Sequence, residues 1–359
     1  MWRIILYLAA AGIAGGLFAW LNVPAGWLIG ALLTGVIYRL KIGELTLPSY
    51  VFPFALALIG TNIGLSMKMS MFGEVASYFL PLAISLVTIL LASWLLSRAL
   101  SRYSALDPKT ALFCCIPGGA SVMLALSEDY GADQRIVAAF QSARVLVIVM
   151  AIPIFAGVVA SLTGAGGSGH ASSHAVQSGT GGVTLFPGFQ ILCALAVLAA
   201  ALGLAKVLKI PAAPFLYAML LAFILNQFIV HIGTLPSIAV GIGQVLLGAN
   251  IGLRFDRESL RQLRKIGWLS IGILFMFLVL TFAISLLFFW MTPLDYVTSM
   301  LSMAPGGAPQ MSSTASVLDL NASVVASIQL VRLLIIFLLL PVTIPILMKK
   351  YYGTGKESS

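Results

Sequence analysis

The residues of this chain that are best suited to do chemistry occur in pairs, 188 positions apart. Gln141 and Arg144 return as Gln329 and Arg332, and each pair lies in an apolar stretch long enough to cross a lipid bilayer. At about 1.5 Å per residue, each arginine would lie roughly 15 Å into its helix, where a charge costs at least about 2.5–3.5 kcal/mol. An arginine placed twice at this depth is a candidate for substrate binding.

The partner of each arginine is left open by the sequence. All eleven aspartates and glutamates fall at the ends of apolar segments or in loops, so no carboxylate is evident at the same depth. Either backbone carbonyl groups or a bound anion could therefore pair with the guanidinium group. Gln141 and Gln329, three residues earlier, lie on the same helical face and could contribute to either role.

A Pro-Gly-Gly-Ala segment at 117–120 returns at 305–308 and predicts a chain reversal inside each half. Proline lacks an N–H donor and glycine tolerates positive φ, while a helix that starts just after the turn directs its positive end at an anion. A packing loop without a ligand is the alternative. The candidate substrate-binding residues are Pro117, Gly118, Gly119, Ser121, Gln141, Arg144, Pro305, Gly306, Gly307, Gln310, Ser312, Ser313, Thr314, Gln329 and Arg332.

The second segment is the more polar of the two, because Gln310, Ser312, Ser313 and Thr314 stand where the first has apolar residues. Most side-chain hydrogen bonds to a substrate should therefore come from the second half. Asn62 and Asn250 form another pair, each between glycines. They predict either local unwinding that exposes carbonyls to an ion, or hydrogen bonds between helices.

Composition identifies the elements that must position these residues. The 359 residues are 60% hydrophobic and 9% charged, with a mean hydropathy of +1.06, which excludes an ordinary soluble domain. The pattern predicts ten membrane-crossing helices, at about 4–21, 23–39, 50–67, 74–97, 134–162, 187–206, 211–231, 236–253, 266–291 and 322–348.

Two further segments, 108–127 and 296–316, contain the Pro-Gly-Gly breaks and could either cross the membrane or enter and return. Cytoplasmic loops carry an excess of lysine and arginine, so the distribution of charge separates the two topologies. Five crossings per half place 17 of these residues inside and one, Lys68, outside, whereas six crossings split them evenly. The charge pattern therefore predicts an all-α membrane protein of two inverted repeats, each with five transmembrane helices and one re-entrant hairpin.

This topology divides the chain into a first membrane repeat at 1–162, an external Gly/Ser-rich linker at 163–186, a second repeat at 187–348 and a basic tail at 349–359. Both termini are predicted to be cytoplasmic, in the cytoplasmic membrane of a bacterium. The net charge of +9 is explained by topology and by contact with the lipid bilayer, so no nucleic-acid partner is expected. A homodimer is left open.

Taken together, the two Pro-Gly-Gly-Ala segments, the Gly-x-Asn-Ile-Gly-Leu segments at 60–65 and 248–253 and the Gln-x-x-Arg pairs resemble the bacterial membrane AbrB family. In that family a duplication covers nearly the whole chain, as it does here. The resemblance implies two conflicting labels, regulator of gene expression and ammonia monooxygenase. The monooxygenase label needs metal ligands that this sequence lacks, and no small β-rich DNA-binding domain is present. The arrangement is also similar, at the level of fold, to glutamate and citrate symporters.

The sequence thus predicts a secondary transporter that moves a small anionic solute by alternating access, coupled to Na⁺ or H⁺. The alternative is a membrane-bound regulator or sensor, and ammonia monooxygenase activity ranks last. No enzymatic activity, cofactor or metal site is expected, since the three histidines and three cysteines form no cluster with metal-ligand spacing.

Overall fold

The computed structural model describes residues 2–21, 23–69, 73, 77–104, 106–117, 123–124, 126–127, 130–163, 187–207, 213–230 and 235–352. The regular structure of these ranges is helical, without a strand. In the first half the helices are α1 (Trp2–Trp20), α2 (Gly26–Lys41), α3 (Val51–Ser66), α4 (Phe79–Tyr103), α5 (Pro108–Cys115) and α6 (Gln134–Thr163).

In the second half, α7 (Pro187–Val207) is followed by α8 (Ala213–Ile224), which a π-helical turn, Leu225–Ile229, continues. The remaining helices are α9 (Ser237–Leu253), α10 (Arg257–Ile266), α11 (Trp268–Met291), α12 (Tyr296–Met303), α13 (Ala308–Val317) and α14 (Ala322–Tyr352). Each predicted crossing coincides with a helix, and α14 continues through Lys349 and Lys350, which had been assigned to the tail. The Gly/Ser-rich linker from 164 to 186 lies outside the described residues, as does the chain from 353.

Helix length and apolarity are consistent with a helical membrane protein. Four helices, α1, α4, α6 and α11, are long and apolar enough to cross a bilayer, and a fifth span results if α9 and α10, bent by 55°, count as one. Shorter apolar helices accompany them, at Val51–Ser66, Leu192–Val207, Ala213–Ile229 and Ala322–Ile336. The chain is therefore compatible with several passes through a membrane.

Exposed tryptophans mark both ends of two of the long helices. Trp2 and Trp20 are 71% and 76% exposed at the ends of α1, and Trp268 and Trp290 are 87% and 75% exposed at the ends of α11. At about 1.5 Å per residue these pairs are roughly 27 Å and 33 Å apart, close to the ~30 Å thickness of the hydrocarbon core. Indole rings favour the membrane–water interface, so this spacing supports both helices as spans.

The two halves are joined by close helix contacts at glycine. A Cβ atom added at Gly60 or Gly64 of α3 would overlap the carbonyl oxygen of Phe215 or Met219 in α8. In the same way, Gly248 and Gly252 of α9 lie against the carbonyl oxygens of Leu28 and Leu32 in α2. Small residues let backbones approach closely, which is how helices associate in a bilayer without a hydrophobic driving force.

These contacts also reveal a shift in the repeat. The glycines are 188 positions apart, but Leu28 and Phe215 are 187 apart, as are Leu32 and Met219. The second helix of each half is therefore offset by one residue from the motifs that flank it. This agrees with Pro24 and Pro211, which are also 187 positions apart.

The order of the contacts fixes the direction of the central helices. Residue numbers rise together along α3 and α8, and also along α2 and α9, so each of these pairs runs parallel. By contrast, Gly243 near the start of α9 contacts Leu58 and Ile59 of α3, while the guanidinium carbon of Arg254, beyond the end of α9, lies 4.4 Å from the ring centroid of Phe52. Thus α3 and α9, which carry the same motif, run in opposite directions.

The basic segment after α9 is folded onto the first half. Asp256 accepts a hydrogen bond from the Ser259 N–H at 2.8 Å and so caps α10, while Arg257 donates to the carbonyl oxygens of Leu40 and Lys41 at 2.7 and 3.3 Å. Arg39 lies 3.7 Å from the Asp256 carboxylate. Arg39 and Arg257 therefore hold the start of α10 at the end of α2.

Candidate functional site

The two predicted chain reversals begin with the same short capped helix. Asp107 accepts a hydrogen bond from the Thr110 N–H at 2.9 Å at the start of α5, and Asp295 accepts one from the Thr298 N–H at 2.8 Å at the start of α12. Both helices have eight residues and end directly before the Pro-Gly-Gly segment. Gly118, Gly119 and Ser121 of the first segment lie outside the described residues, while the second segment is described throughout.

In the second half, the chain turns at Pro305, Gly306 and Gly307 and resumes as α13. Gly307 has φ of 98°, a conformation that L-residues with a side chain rarely adopt. With its amide nitrogen facing the turn, Gln310 donates to the carbonyl oxygens of Gly306 and Gly307 at 3.2 and 3.1 Å. The Gln310 side chain therefore stabilises the turn from within.

The paired glutamines bind the ends of the short helices at equivalent positions. Gln141 Nε2 donates to the carbonyl oxygens of Phe113 and Ile116 at 2.8 and 3.3 Å. Gln329 Nε2 donates to those of Leu301 and Ala304, 188 positions later, at 2.7 and 2.9 Å. Helix ends leave carbonyl groups without intrahelical partners, so these amides satisfy groups that would otherwise be buried unpaired.

The arginines complete the same arrangement. Arg332 donates through Nη1 to the carbonyl oxygens of Ser302 and Met303 at 3.3 and 2.6 Å, and through Nη2 to those of Ala304 and the Gln329 side chain at 3.1 and 2.6 Å. Arg144 has fewer bonds, to the Ile116 carbonyl at 3.1 Å and the Gln141 side chain at 2.5 Å. The sequence left two possible partners for each guanidinium group, backbone carbonyls or a bound anion. In the structure, backbone carbonyl oxygens contact both guanidinium groups.

These arginines are buried cations without an acidic partner among the residues that the structure describes. Arg144 and Arg332 are 2% and 7% exposed, and the ion pairs of the described residues lie elsewhere, at Arg39 and Arg261. The C-terminus of a helix carries roughly −0.5 charge and the N-terminus roughly +0.5. In the second half, the end of α12, the start of α13 and Arg332 therefore leave a net charge of about +1 at the turn.

Two contacts place the second break and Arg144 where the halves meet. A Cβ atom added at Gly306 would lie 3.2 Å from Cγ2 of Ile148, which is one turn beyond Arg144 on α6. The guanidinium carbon of Arg144 lies 5.5 Å from the ring centroid of Phe277 on α11. Both halves therefore contribute to the region around these residues.

The other polar residues predicted for α13, Ser312, Ser313 and Thr314, bond to different partners. Ser312 and Thr314 donate to carbonyl oxygens of their own helix, at Ala308 and Gln310, over 2.6 and 2.9 Å. Ser313 instead accepts a hydrogen bond from Nε2 of Gln244 on α9 at 2.8 Å. Gln244 was missed in the sequence analysis, although it is an amide in an apolar helix at a position where the first half has Leu56.

The unwinding predicted at Asn62 and Asn250 is wrong. Both residues lie inside continuous helices, α3 and α9. The flanking glycines provide close contact with α8 and α2 rather than a break, because their missing Cβ atoms are what let the backbones approach. The Asn62 amide forms no hydrogen bond with a described residue, and ion binding at either asparagine stays a prediction.

Comparison with known proteins places the chain in a family. The model of the AbrB family, described as "Transition state regulatory protein AbrB", matches residues 27–348. An Escherichia coli (strain K12) protein that is named as a regulator, AbrB, is 29% identical over 325 residues, 89% of either chain. The uncharacterized Bacillus subtilis (strain 168) protein YhjN is 26% identical over 375 residues, 94% of this chain and 91% of its own length. Since the family match spans most of the sequence, the chain belongs to the AbrB family, as its duplicated motifs predicted.

Proposed function

We propose that this protein is a secondary transporter that carries a small anionic solute across the bacterial cytoplasmic membrane by alternating access. The observation behind the proposal is the pair of buried arginines, Arg144 and Arg332. Both bind the carbonyl groups that end the short helices α5 and α12, and neither has an acidic partner in the described part of the chain. A buried charge in a membrane protein is costly and usually marks a substrate or ion pathway. An anion between the two halves would offset the charge of both arginines.

The opposite directions of the equivalent helices α3 and α9 support an inverted repeat as the architecture of this transporter. Because α3 and α9 run in opposite directions, the half that contains α9 would have the opposite orientation in the bilayer. We propose ten crossings and two re-entrant hairpins, α5 and α12 being the entering arms. Hairpins that enter from opposite faces would meet near the midplane, where irregular backbone is tolerated against protein or a water-filled cavity.

Uptake into proteoliposomes tests the proposed function. Purified protein in liposomes is offered a mixture of small carboxylates and inorganic anions under an inward Na⁺ or H⁺ gradient, and the trapped solutes are identified by mass spectrometry. We expect accumulation of at least one anion above the level of empty liposomes and of liposomes that contain Arg332→Gln. The regulator interpretation, which rests on the name of the E. coli relative, predicts no accumulation of any solute.

Cysteine labelling tests the orientation. Single cysteines at Ser172 and Ser178, in the Gly/Ser-rich linker, should react with a membrane-impermeant maleimide added to intact cells, whereas a cysteine at Ser358 should react only after permeabilisation. For the loop that contains α10, Arg261 is a better reporter than Ser259, because the Arg261 side chain is 70% exposed and Ser259 is buried. Labelling of Arg261→Cys from outside intact cells would contradict the inverted arrangement.

A further inference from the structure

Gln244 lies on α9 with an amide oxygen that has no partner among the described residues. The residue is 1% exposed, its Nε2 donates to Ser313 Oγ at 2.8 Å, and its Oε1 accepts no hydrogen bond from the part of the chain that the structure describes. Buried polar atoms are paired in the great majority of cases, because an unpaired one loses its bonds to water without replacement. An orphaned acceptor of this kind is available to a donor from outside the chain.

The first half indicates that packing does not require this polar pair. The positions equivalent to Gln244 and Ser313 are Leu56 and Ala125, and Leu56 is buried in α3 at 6% exposure. An apolar side chain therefore serves the same position of the same helix in the other repeat. The exchange of leucine for glutamine adds hydrogen-bonding capacity at one place between the halves and costs stability there.

The position of Ser313 relates the pair to the helix break. Ser313 lies six residues after Gly307, roughly 9 Å along the axis of α13. The neighbouring hydroxyl groups of Ser312 and Thr314 donate back to their own helix, so Ser313 is the hydroxyl that faces α9. A solute with its anionic group at the break could reach Gln244 with a second group at its far end.

We propose that Gln244 Oε1 accepts a hydrogen bond from an O–H or N–H group of the transported solute, which is therefore a hydroxy- or amino-substituted small organic anion. This inference rests on the proposed transport function and makes Gln244, positioned by Ser313, a residue that determines specificity. The site is less suitable for a hard cation, because Ca²⁺ or Mg²⁺ binds about six oxygen ligands and Gln244 offers one free oxygen.

The test compares matched anions on the purified full-length protein. The probes are L-malate against succinate, L-glutamate against glutarate and L-lactate against propionate, with affinity taken from titrated thermal shifts. We expect the wild-type protein to bind the substituted member of at least one pair about tenfold or more tightly, because an unsatisfied acceptor gains its partner. In the double variant Gln244→Leu with Ser313→Ala, which restores the residues of the first half, this preference should fall to about twofold or less.

Two controls separate binding from folding. Ser313→Ala alone leaves both amide atoms of Gln244 unpaired and should melt lower than the double variant, in which no polar group is orphaned. Gln262→Leu removes another buried glutamine, one that is bonded to Glu258 on α10, and should leave the preference unchanged. A double variant that keeps the wild-type preference would overturn the assignment, as would equal wild-type binding within every pair, while the transport proposal stands. A protein that binds none of the six anions would also overturn the assignment, while the transport proposal is decided separately by the uptake screen with its inorganic anions.

Discussion

Arg332→Gln should weaken anion binding about fiftyfold and lower stability more than Arg144→Gln does. At an effective dielectric constant of about 20, loss of a unit charge roughly 7 Å from an anion costs about 2.4 kcal/mol, or about fiftyfold in affinity. The free energy of unfolding should fall by about 3–5 kcal/mol at Arg332, which bonds four oxygen atoms, and by about 1–3 kcal/mol at Arg144, which bonds two. Anion affinity and melting temperature on the same purified protein measure both effects.

Two further substitutions separate the charge from the hydrogen bonds. Arg332→Lys keeps the charge but loses the planar fork that reaches several carbonyls, so stability should fall with a smaller loss of affinity. Gln329→Glu keeps an acceptor beside Arg332 and neutralises it, so affinity should fall by about the same factor as in Arg332→Gln. Stability should fall too, because the carboxylate cannot donate to the carbonyl oxygens of Leu301 and Ala304. If Gln329→Glu folds and binds anions like the wild type, the positive charge is not what attracts the solute.

Gly307→Ala should disrupt the second turn much more than Gly306→Ala. With φ of 98° at Gly307, a side chain strains the backbone by about 1–3 kcal/mol, and the added Cβ would overlap the amide of Gln310. At Gly306 the nearest atom to the added Cβ, at 2.5 Å, is the terminal methyl of Met311, which can rotate away. Melting temperatures of the two variants measure this difference.

Anion affinity in the folded fraction then shows whether the turn is a site or only a packing loop. The account predicts that Gly307→Ala weakens anion binding by about tenfold or more, because the Gln310 amide and the start of α13 are displaced from the solute. Gly119→Ala should have a smaller effect, and Ser313→Ala should weaken binding more than Ala125→Ser, since the first half offers fewer polar groups. If Gly307→Ala and Gly119→Ala both lower the melting temperature but leave anion affinity unaltered, the solute binds elsewhere.

Much of this architecture follows from spacing and hydropathy. Matched Pro, Gly, Gln and Arg residues 188 positions apart predicted equivalent helices, and the structure places Gln141 and Gln329 on equivalent carbonyl groups. Apolar stretches also indicated where the long helices lie, although α4 runs from Phe79 to Tyr103 rather than over the predicted 74–97.

Features that depend on contacts between distant residues could not be predicted from spacing and hydropathy. Glycines beside Asn62 are compatible with unwinding or with close packing, and only the carbonyl oxygens of the facing helix decide for packing. The depth of Arg332 could be estimated, but not that four of its hydrogen bonds lie within its own half. The partner of Ser313 is 69 residues away in α9, so neither local pattern nor repeat symmetry indicates it.

The central claim, that the chain carries an anion between its two halves, is tested most directly by counterflow. Proteoliposomes are loaded with a high concentration of the anion found by the uptake screen and diluted into a trace of its isotopically labelled form, without an ion gradient. The account predicts transient accumulation of label above equilibrium with the wild-type protein and none with Gln329→Glu, which fills the positive site with a carboxylate. Label that only equilibrates at the rate of empty liposomes would contradict it.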